Sequence, residues 1–173
     1  MDDRFAHRLR LDQIRDGERL DLVADEAECK LIAGRLGLSS LDRLEAHVTL
    51  LRTGAVIRAN GRIAATLEQS CVVTDAPVAA HVDDPFALLF MPEPDGVGYD
   101  EDIELGEEDC DVVFHDGASI DLGGAIADTL ALSIDPYPRS ASADAALKEA
   151  GVLSEEQASP FAVLSKLKGG DEA

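Results

Sequence analysis

Between Leu44 and Phe90 the apolar side chains of this chain fall at every second position, stretch after stretch. Leu44, Ala46, Val48 and Leu50 alternate with Glu45, His47 and Thr49. Ile63, Ala65, Leu67, Cys71 and Val73 share one parity, and so do Val78, Ala80 and Val82. Phe86, Leu88 and Phe90 continue or follow this last stretch after Pro85. Only an extended strand puts residues i, i+2 and i+4 on one face, so each stretch predicts a half-buried strand. The connections are short. Parallel neighbours would need a crossover of a dozen or more residues, so the expected arrangement is an antiparallel meander. Asn60-Gly61 tolerates the two positive φ angles of a type I′ turn, and it predicts a hairpin whose arms are Ala55 to Ala59 and Arg62 onward. Asp75-Ala76-Pro77 breaks the next connection.

Helices are expected on either side of this sheet. Asp25 has the chemistry of an N-cap and Glu28, three residues on, that of its capping-box partner. Ala27, Leu31, Ile32 and Leu36 then follow helical spacing, and Gly37 suits the residue that ends the helix. Before it, His7 to Ile14 alternates loosely as a first strand, and Leu20 and Leu22 suggest a short second one. After the sheet, Cys110 to His115 predicts a strand ending at an Asp116-Gly117 turn. Asp121 can cap a helix in which Leu122, Ile126 and Leu130 recur at i+4, ended by Pro136 and Pro138. The expected fold class is therefore α+β. An antiparallel meander, able to curl toward a barrel, carries one helix inserted early and one after the sheet, in a domain spanning residues 1–139. Residues 140–173 are Ala-rich and predict a loosely attached tail, partly helical or disordered, with a weak helix at Ala143 to Ala150 and an amphipathic end at Pro160 to Leu167. Apolar residues make up 46% of the chain and aromatic ones 4%, enough for a core built from Leu, Val, Ile and Ala.

Charge divides the chain unevenly. The 76 residues from Ile63 to Pro138 hold no Lys and no Arg but 18 Asp and Glu, whereas the first 62 residues balance 11 basic against 11 acidic. Most of the net charge of -20 thus lies in the middle. Such a block repels phosphate and attracts basic partners over a Debye length of about 8 Å. An acidic surface also serves solubility alone. The densest part, Pro92 to Asp111, holds ten acidic residues, two prolines and three glycines, and predicts a mobile surface loop.

Chemistry-bearing motifs are scarce. Three cysteines, Cys29, Cys71 and Cys110, are widely spaced, which suits reduced thiols and not a disulfide framework. There is no Cys-x-x-Cys for a structural zinc, no phosphate loop, no dinucleotide fingerprint and no Gly-x-Ser-x-Gly. His7, His47, His81 and His115 sit in or beside predicted strands, with no helical metal spacing. Cys71 shares a face with Ile63 and Leu67, as a small core hydrophobe would. Asp100, Asp102 and Glu104 imitate the start of a calcium loop, yet Leu105 stands where an EF-hand needs glycine and Asp111 where it needs a bidentate Glu. No cofactor is expected. Met1 to Arg10 lacks a signal-peptide h-region, and the longest apolar run, Phe86 to Met91, is far too short for a bilayer. The expected place is the cytoplasm, away from the membrane.

Two stretches carry a resemblance. Gly61-Arg62-Ile63-Ala64-Ala65-Thr66-Leu67-Glu68-Gln69-Ser70-Cys71-Val72-Val73-Thr74 followed by Pro77-Val78 is one, and Ile120-Asp121-Leu122-Gly123 running on through Ile126, Leu130, Leu132 and Pro136 is the other. With Arg35-Leu36-Gly37-Leu38 and the acidic Asp102-Ile103-Glu104-Leu105, their order resembles the DUF177 family, the YceD-like large ribosomal RNA subunit accumulation proteins of bacteria and plastids, most of all the alphaproteobacterial branch. The resemblance extends over roughly residues 5 to 140. Many members have Cys-x-Arg-Cys at the first motif and further cysteines after the helix. Here Cys71 is kept, Val73 replaces the Arg, Thr74 replaces the second Cys, and Tyr137 to Ala145 has no cysteine, so no metal site carries over.

The resemblance implies a role in accumulation of large-subunit ribosomal RNA and no known reaction. Each phosphate contact needs a Lys or Arg, so the charge fits a basic ribosomal or assembly protein as partner, with ribosomal RNA contacted indirectly or weakly. The expected function is a non-catalytic ribosome-biogenesis factor, with Asp100, Glu101, Asp102, Glu104, Glu107 and Glu108 meeting that partner. Two rivals stay open: direct precursor-RNA binding through Arg4, Arg8, Arg10, Arg15 and Arg19, and a metal-dependent nuclease or hydrolase built on the acidic stretch. The partner, the assembly step and the oligomeric state are not legible in the residues.

Overall fold

The structure is a computed structural model and describes Phe5 and residues 8–93 and 111–152. The chain divides into two compact units, one of Met1–Gln69 with Ala79–Pro136 and one of Ser70–Val78 with Tyr137–Ala173.

The first unit is built on a five-stranded, mostly antiparallel sheet. Its strands are β2 (Glu18–Val23), β3 (Ser40–Thr53), β4 (Val56–Ser70), β5 (Pro77–Pro92) and β6 (Asp111–His115), side by side in that order. A separate two-stranded ladder pairs β1 (Arg8–Arg10) with β7 (Ser119–Asp121). Helix α1 (Glu26–Leu36) joins β2 to β3, and α2 (Leu122–Ser133) follows β7. The α+β class and the two helix positions agree with the alternation and cap chemistry. The sheet does not curl into a barrel: β2 and β6 remain as its two ends. Nor is it antiparallel throughout, for β6 runs parallel to β5, Leu88 opposite Asp111. Parallel pairing needs a long connection, and residues 94–110 supply one.

Asp25 caps α1 as expected. Its side chain accepts from the Glu28 amide at 2.8 Å, while the Glu28 carboxylate accepts from the Asp25 amide at 2.9 Å. Gly37 ends the helix with φ 67°, a conformation that costs glycine little. The face that turns inward differs from the expected one. Cys29 and Ala33 are buried, Ile32 and Leu36 half-buried, and Ala27 and Leu31 exposed. Asp121 caps α2, accepting from the Gly124 amide at 3.0 Å, and Leu122, Ile126 and Leu130 behind it are fully buried.

The hairpin lies elsewhere than predicted. β4 runs straight through Asn60-Gly61, pairing Asn60 with Thr49 and Gly61 with Val48 of β3. The turn is Gly54-Ala55, between the paired residues Thr53 and Val56, with Gly54 at φ 65°. That is a two-residue loop with glycine at its first position. Gly61 has a packing reason instead: a Cβ there would lie 2.2 Å from the His47 carbonyl oxygen and 2.8 Å from the Phe86 ring. Pro85 is accommodated because β6 joins β5 only from Leu88 onward, which leaves β5 one neighbour at the proline.

The buried face of the sheet collects Leu44, Val48, Leu50, Ile57, Ile63, Leu67, Leu88 and Phe90 beneath Cys29 and Ala33 of α1 and Leu122, Ile126 and Leu130 of α2. Among the described residues the N-terminal segment is strand only at Arg8–Arg10 and then turns, with Leu11 and Ile14 buried in the core. Arg52 holds that turn against β3, its guanidinium donating to the carbonyls of Leu11, Ile14 and Gly54.

In the second unit, the turn after β4 closes on itself, the Cys71 amide donating to the Ala76 carbonyl and the Asp75 amide to the Cys71 carbonyl. Asp75 takes a positive φ of 55°. A short helix α3 (Ala143–Glu149) forms part of the same unit.

Candidate functional site

Two places hold the side chains singled out by sequence. The first is the surface where the basic residues lie, on the sheet, on β1 and on the helices. Arg10 faces Asp12 at 2.9 Å, Lys30 Glu26 at 2.6 Å, Arg35 Asp128 at 2.8 Å, Arg43 Glu45 at 2.5 Å and Arg62 Asp83 at 2.5 Å. The carboxylates of Asp12, Glu26, Glu45 and Asp83 are held below their ordinary range by hydrogen bonds from these cations. Across the middle of the sheet runs a row of Asp21, His47, Arg62 and Asp83, with His47 Nδ1 2.6 Å from Asp21. In each of these pairs a cation meets a carboxylate of the chain itself.

Sequence grouped Arg4, Arg8, Arg10, Arg15 and Arg19 as one RNA-binding set. Arg4 lies outside the described residues. Arg8 and Arg10 line a shallow surface hollow with Asp12 and the turn from Gly117 to Ser119. Arg15 is in the turn before β2 and Arg19 in β2, neither with an ion pair among the described residues. Asp100, Glu101, Asp102, Glu104, Glu107 and Glu108, together with the calcium-loop imitation and Cys110, lie outside the described residues.

The second place is the Cys71 turn. Cys71 is 0% exposed, as a core hydrophobe would be, yet its sulfur is a hydrogen-bond acceptor. The amides of Ser140 and Val73 donate to Sγ at 3.2 and 3.5 Å. The Ser140 and Thr74 hydroxyls lead the causes that lower the thiol from its ordinary 9.0 to about 6, with the Ser140 and Val73 amides adding to them. Thr74 Oγ1 lies 3.1 Å from Ser140 Oγ, and Ser140 Oγ 3.1 Å from Ser142 Oγ. Thr74 and the cysteine-free segment at Ser140 thus meet through hydroxyls. Cys29 is the opposite case. Burial and the nearby Glu28 and Asp25 carboxylates push its thiol up. Among the described residues no group of three or more His, Cys, Asp and Glu is arranged to hold a metal.

The histidines are structural where they are buried. His115 is 6% exposed; its Nδ1 accepts from the Gly117 amide at 3.0 Å, so Nε2 carries the proton donated to the Ala55 carbonyl at 2.9 Å. His81 lies on the exposed face with Thr66 Oγ1 3.3 Å away, and His7 is outside the described residues. One feature escaped the sequence reading altogether. An open trough runs where α1 meets α2, because neither helix alone signals which of its leucines stay uncovered.

No helix among the described residues is long and apolar enough to cross a membrane. The family model described as Large ribosomal RNA subunit accumulation protein YceD matches residues 59–168. That span starts and ends later than the sequence resemblance, taking in the Cys71 turn, α2 and residues beyond 140. No curated protein and no solved structure matches the chain. With the family model covering well over half of it, the chain belongs to the YceD family of large ribosomal RNA subunit accumulation proteins.

Proposed function

We propose that this chain is a non-catalytic factor of ribosome assembly in the cytoplasm, supporting accumulation of large-subunit ribosomal RNA by holding a basic ribosomal or assembly protein. The family name ties the chain to large-subunit ribosomal RNA. One observation carries the choice of partner: Arg10, Lys30, Arg35, Arg43 and Arg62 are each occupied by a carboxylate of the chain itself, and Ile63 to Pro138 adds only negative charge. An arginine already paired must lose that partner before it can meet a phosphate. A cationic protein meets no such barrier at the acidic residues between Ile63 and Pro138, which outnumber the cations that could pair with them. The acidic stretch, with Asp100, Glu101, Asp102, Glu104, Glu107 and Glu108, supplies the attraction in this reading.

Direct contact with precursor RNA keeps one supporting observation, the absence of an ion pair at Arg15 and Arg19 among the described residues. The test is an affinity capture at low salt with both protein and RNA identified, repeated after nuclease treatment. The expected result is a basic ribosomal or assembly protein that stays bound without RNA. RNA retained after all protein is stripped would move the function to those arginines.

A further inference from the structure

Helix α2 is buried on nearly every side. Its one open strip is Gly124, Asp128 and Leu132, at i, i+4 and i+8. Leu132 is 76% exposed. Opposite stands the face of α1 formed by Glu28, Leu31 and Arg35, with Leu31 75% exposed. Two linked hollows lie along this seam, about 220 and 290 Å³ in volume, sharing Arg35, Asp121 and Gly124. The second opens onto β6 at Asp111 and Val113. Each is below the roughly 300 Å³ at which small-molecule sites begin, a size suited to side-chain anchors. Leu31 and half-buried Ile32 line the first hollow, and Leu132 and half-buried Val113 the second, so each has an apolar wall that water covers at a cost.

The rim around these hollows is negative. Glu28, Asp111, Asp121 and Asp128 stand there against Arg35 alone. Asp128 meets Arg35 in a pair exposed to solvent, open to exchange with a cation from outside. This pattern selects the occupant. RNA brings phosphates against carboxylates, and a second copy of a chain of net charge -20 brings the same rim against itself.

We infer that the α1–α2 trough docks a cationic amphipathic segment of a protein, its aliphatic side chains seated between Leu31 and Leu132 and its Lys or Arg side chains on Asp111, Asp121 and Asp128. This rests on the reading that the partner is a basic protein, and it names where that partner sits. Recognition is of the kind in which an amphipathic helix lays its apolar side into a groove, with charge setting orientation and the rate of encounter.

The experiment uses the full chain, isotope-labelled, and a synthetic Leu/Lys amphipathic peptide, with a Ser/Lys peptide of equal charge as its control. The Leu/Lys peptide is expected to shift the amides of Val113, Gly124 and Leu132, and to bind at least about tenfold more tightly than the control. Leu31→Ser with Leu132→Ser should weaken the Leu/Lys peptide by a similar factor and leave the fold intact, because both side chains are exposed in the free protein. Unchanged binding to the double variant, or shifts elsewhere, overturns the trough and leaves the basic-partner reading standing. Failure of both cationic peptides to bind the wild type at low salt overturns the trough and that reading together. Shifts of these amides by a fragment of large-subunit RNA, and not by peptide, would replace the protein partner with RNA.

Discussion

At Gly61 a single methyl group separates a continuous β4 from a displaced one. The Cβ of an alanine would sit 2.2 Å from a backbone oxygen of β3, which cannot rotate away as a flexible side chain could. Gly61→Ala is expected to destabilise the fold by about 3 kcal/mol, the upper end for overpacking, seen as a lower denaturant midpoint at unchanged slope. Gly34, exposed in α1 with nothing within 4 Å of an added Cβ, is the control. Gly34→Ala should stabilise by about 0.5 kcal/mol or more. If both changes act alike, backbone entropy and not contact governs Gly61. At Cys71 the folded thiol is lowered to about 6 from 9.0. The unfolded chain therefore holds the proton between those values and the folded chain does not. Stability from this group is complete above pH 9.0 and is lost as pH falls to about 6. Unfolding free energy should rise across that window in the wild type and rise less in Cys71→Ser. Thiolate ultraviolet absorbance of the native protein should titrate with its first midpoint near 6. A first midpoint at the ordinary thiol value would show that burial of Sγ offsets the donors around it.

At the scale of elements, α1 and α2 each begin where a carboxylate satisfies an amide that has no partner within the helix. Asp121 accepts from the Gly124 amide, and a Cβ at Gly124 would lie 2.6 Å from the Asp121 carboxylate, so cap and glycine are matched. Asp121→Ala should cost about 1 kcal/mol and Asp121→Asn much less, since Asn also caps. Thermal midpoints of the two variants decide it; equal losses would mean that the charge, and not the cap, matters. The strands show where local signals stop. The Asn60-Gly61 pair has the composition of a hairpin turn, but Gly54-Ala55 makes the turn and β4 passes through Asn60. Local turn preference amounts to a small energy, while moving the turn would shift the register of β3 against β4. A one-residue slip alone would send Ile57, Ala59, Ile63 and Leu67 to the wrong face.

For the whole molecule, charge segregation is the property that reaches farthest from its own atoms. Neutralising Asp100, Glu101, Asp102 and Glu104 together to Asn and Gln should slow association with the captured partner more than it speeds release, and should flatten the dependence on salt. Folding stability should hardly change. Rate measurements on wild type and variant at two salt concentrations check this. Identical association rates would reduce the stretch to a solubilising surface and favour the arginine segment.

The sequence by itself determined the class of the fold, both caps, the parity of the strands and the family, because alternation, capping and motif order are written in neighbouring residues. Tertiary structure decided the rest. Where the hairpin turned, why Gly61 is a glycine, and that β6 lies parallel to β5 depend on what packs against each strand from far along the chain. The same holds for function. Read along the chain, Arg62 and Arg35 have no partner in sight, yet Arg62 meets Asp83 and Arg35 meets Asp128 once the fold is closed. Leu31, on the spacing of a core residue, stays in water because α1 turns Cys29 and Ala33 inward. An ion pair or a groove between distant segments is a property of distances that no local pattern encodes.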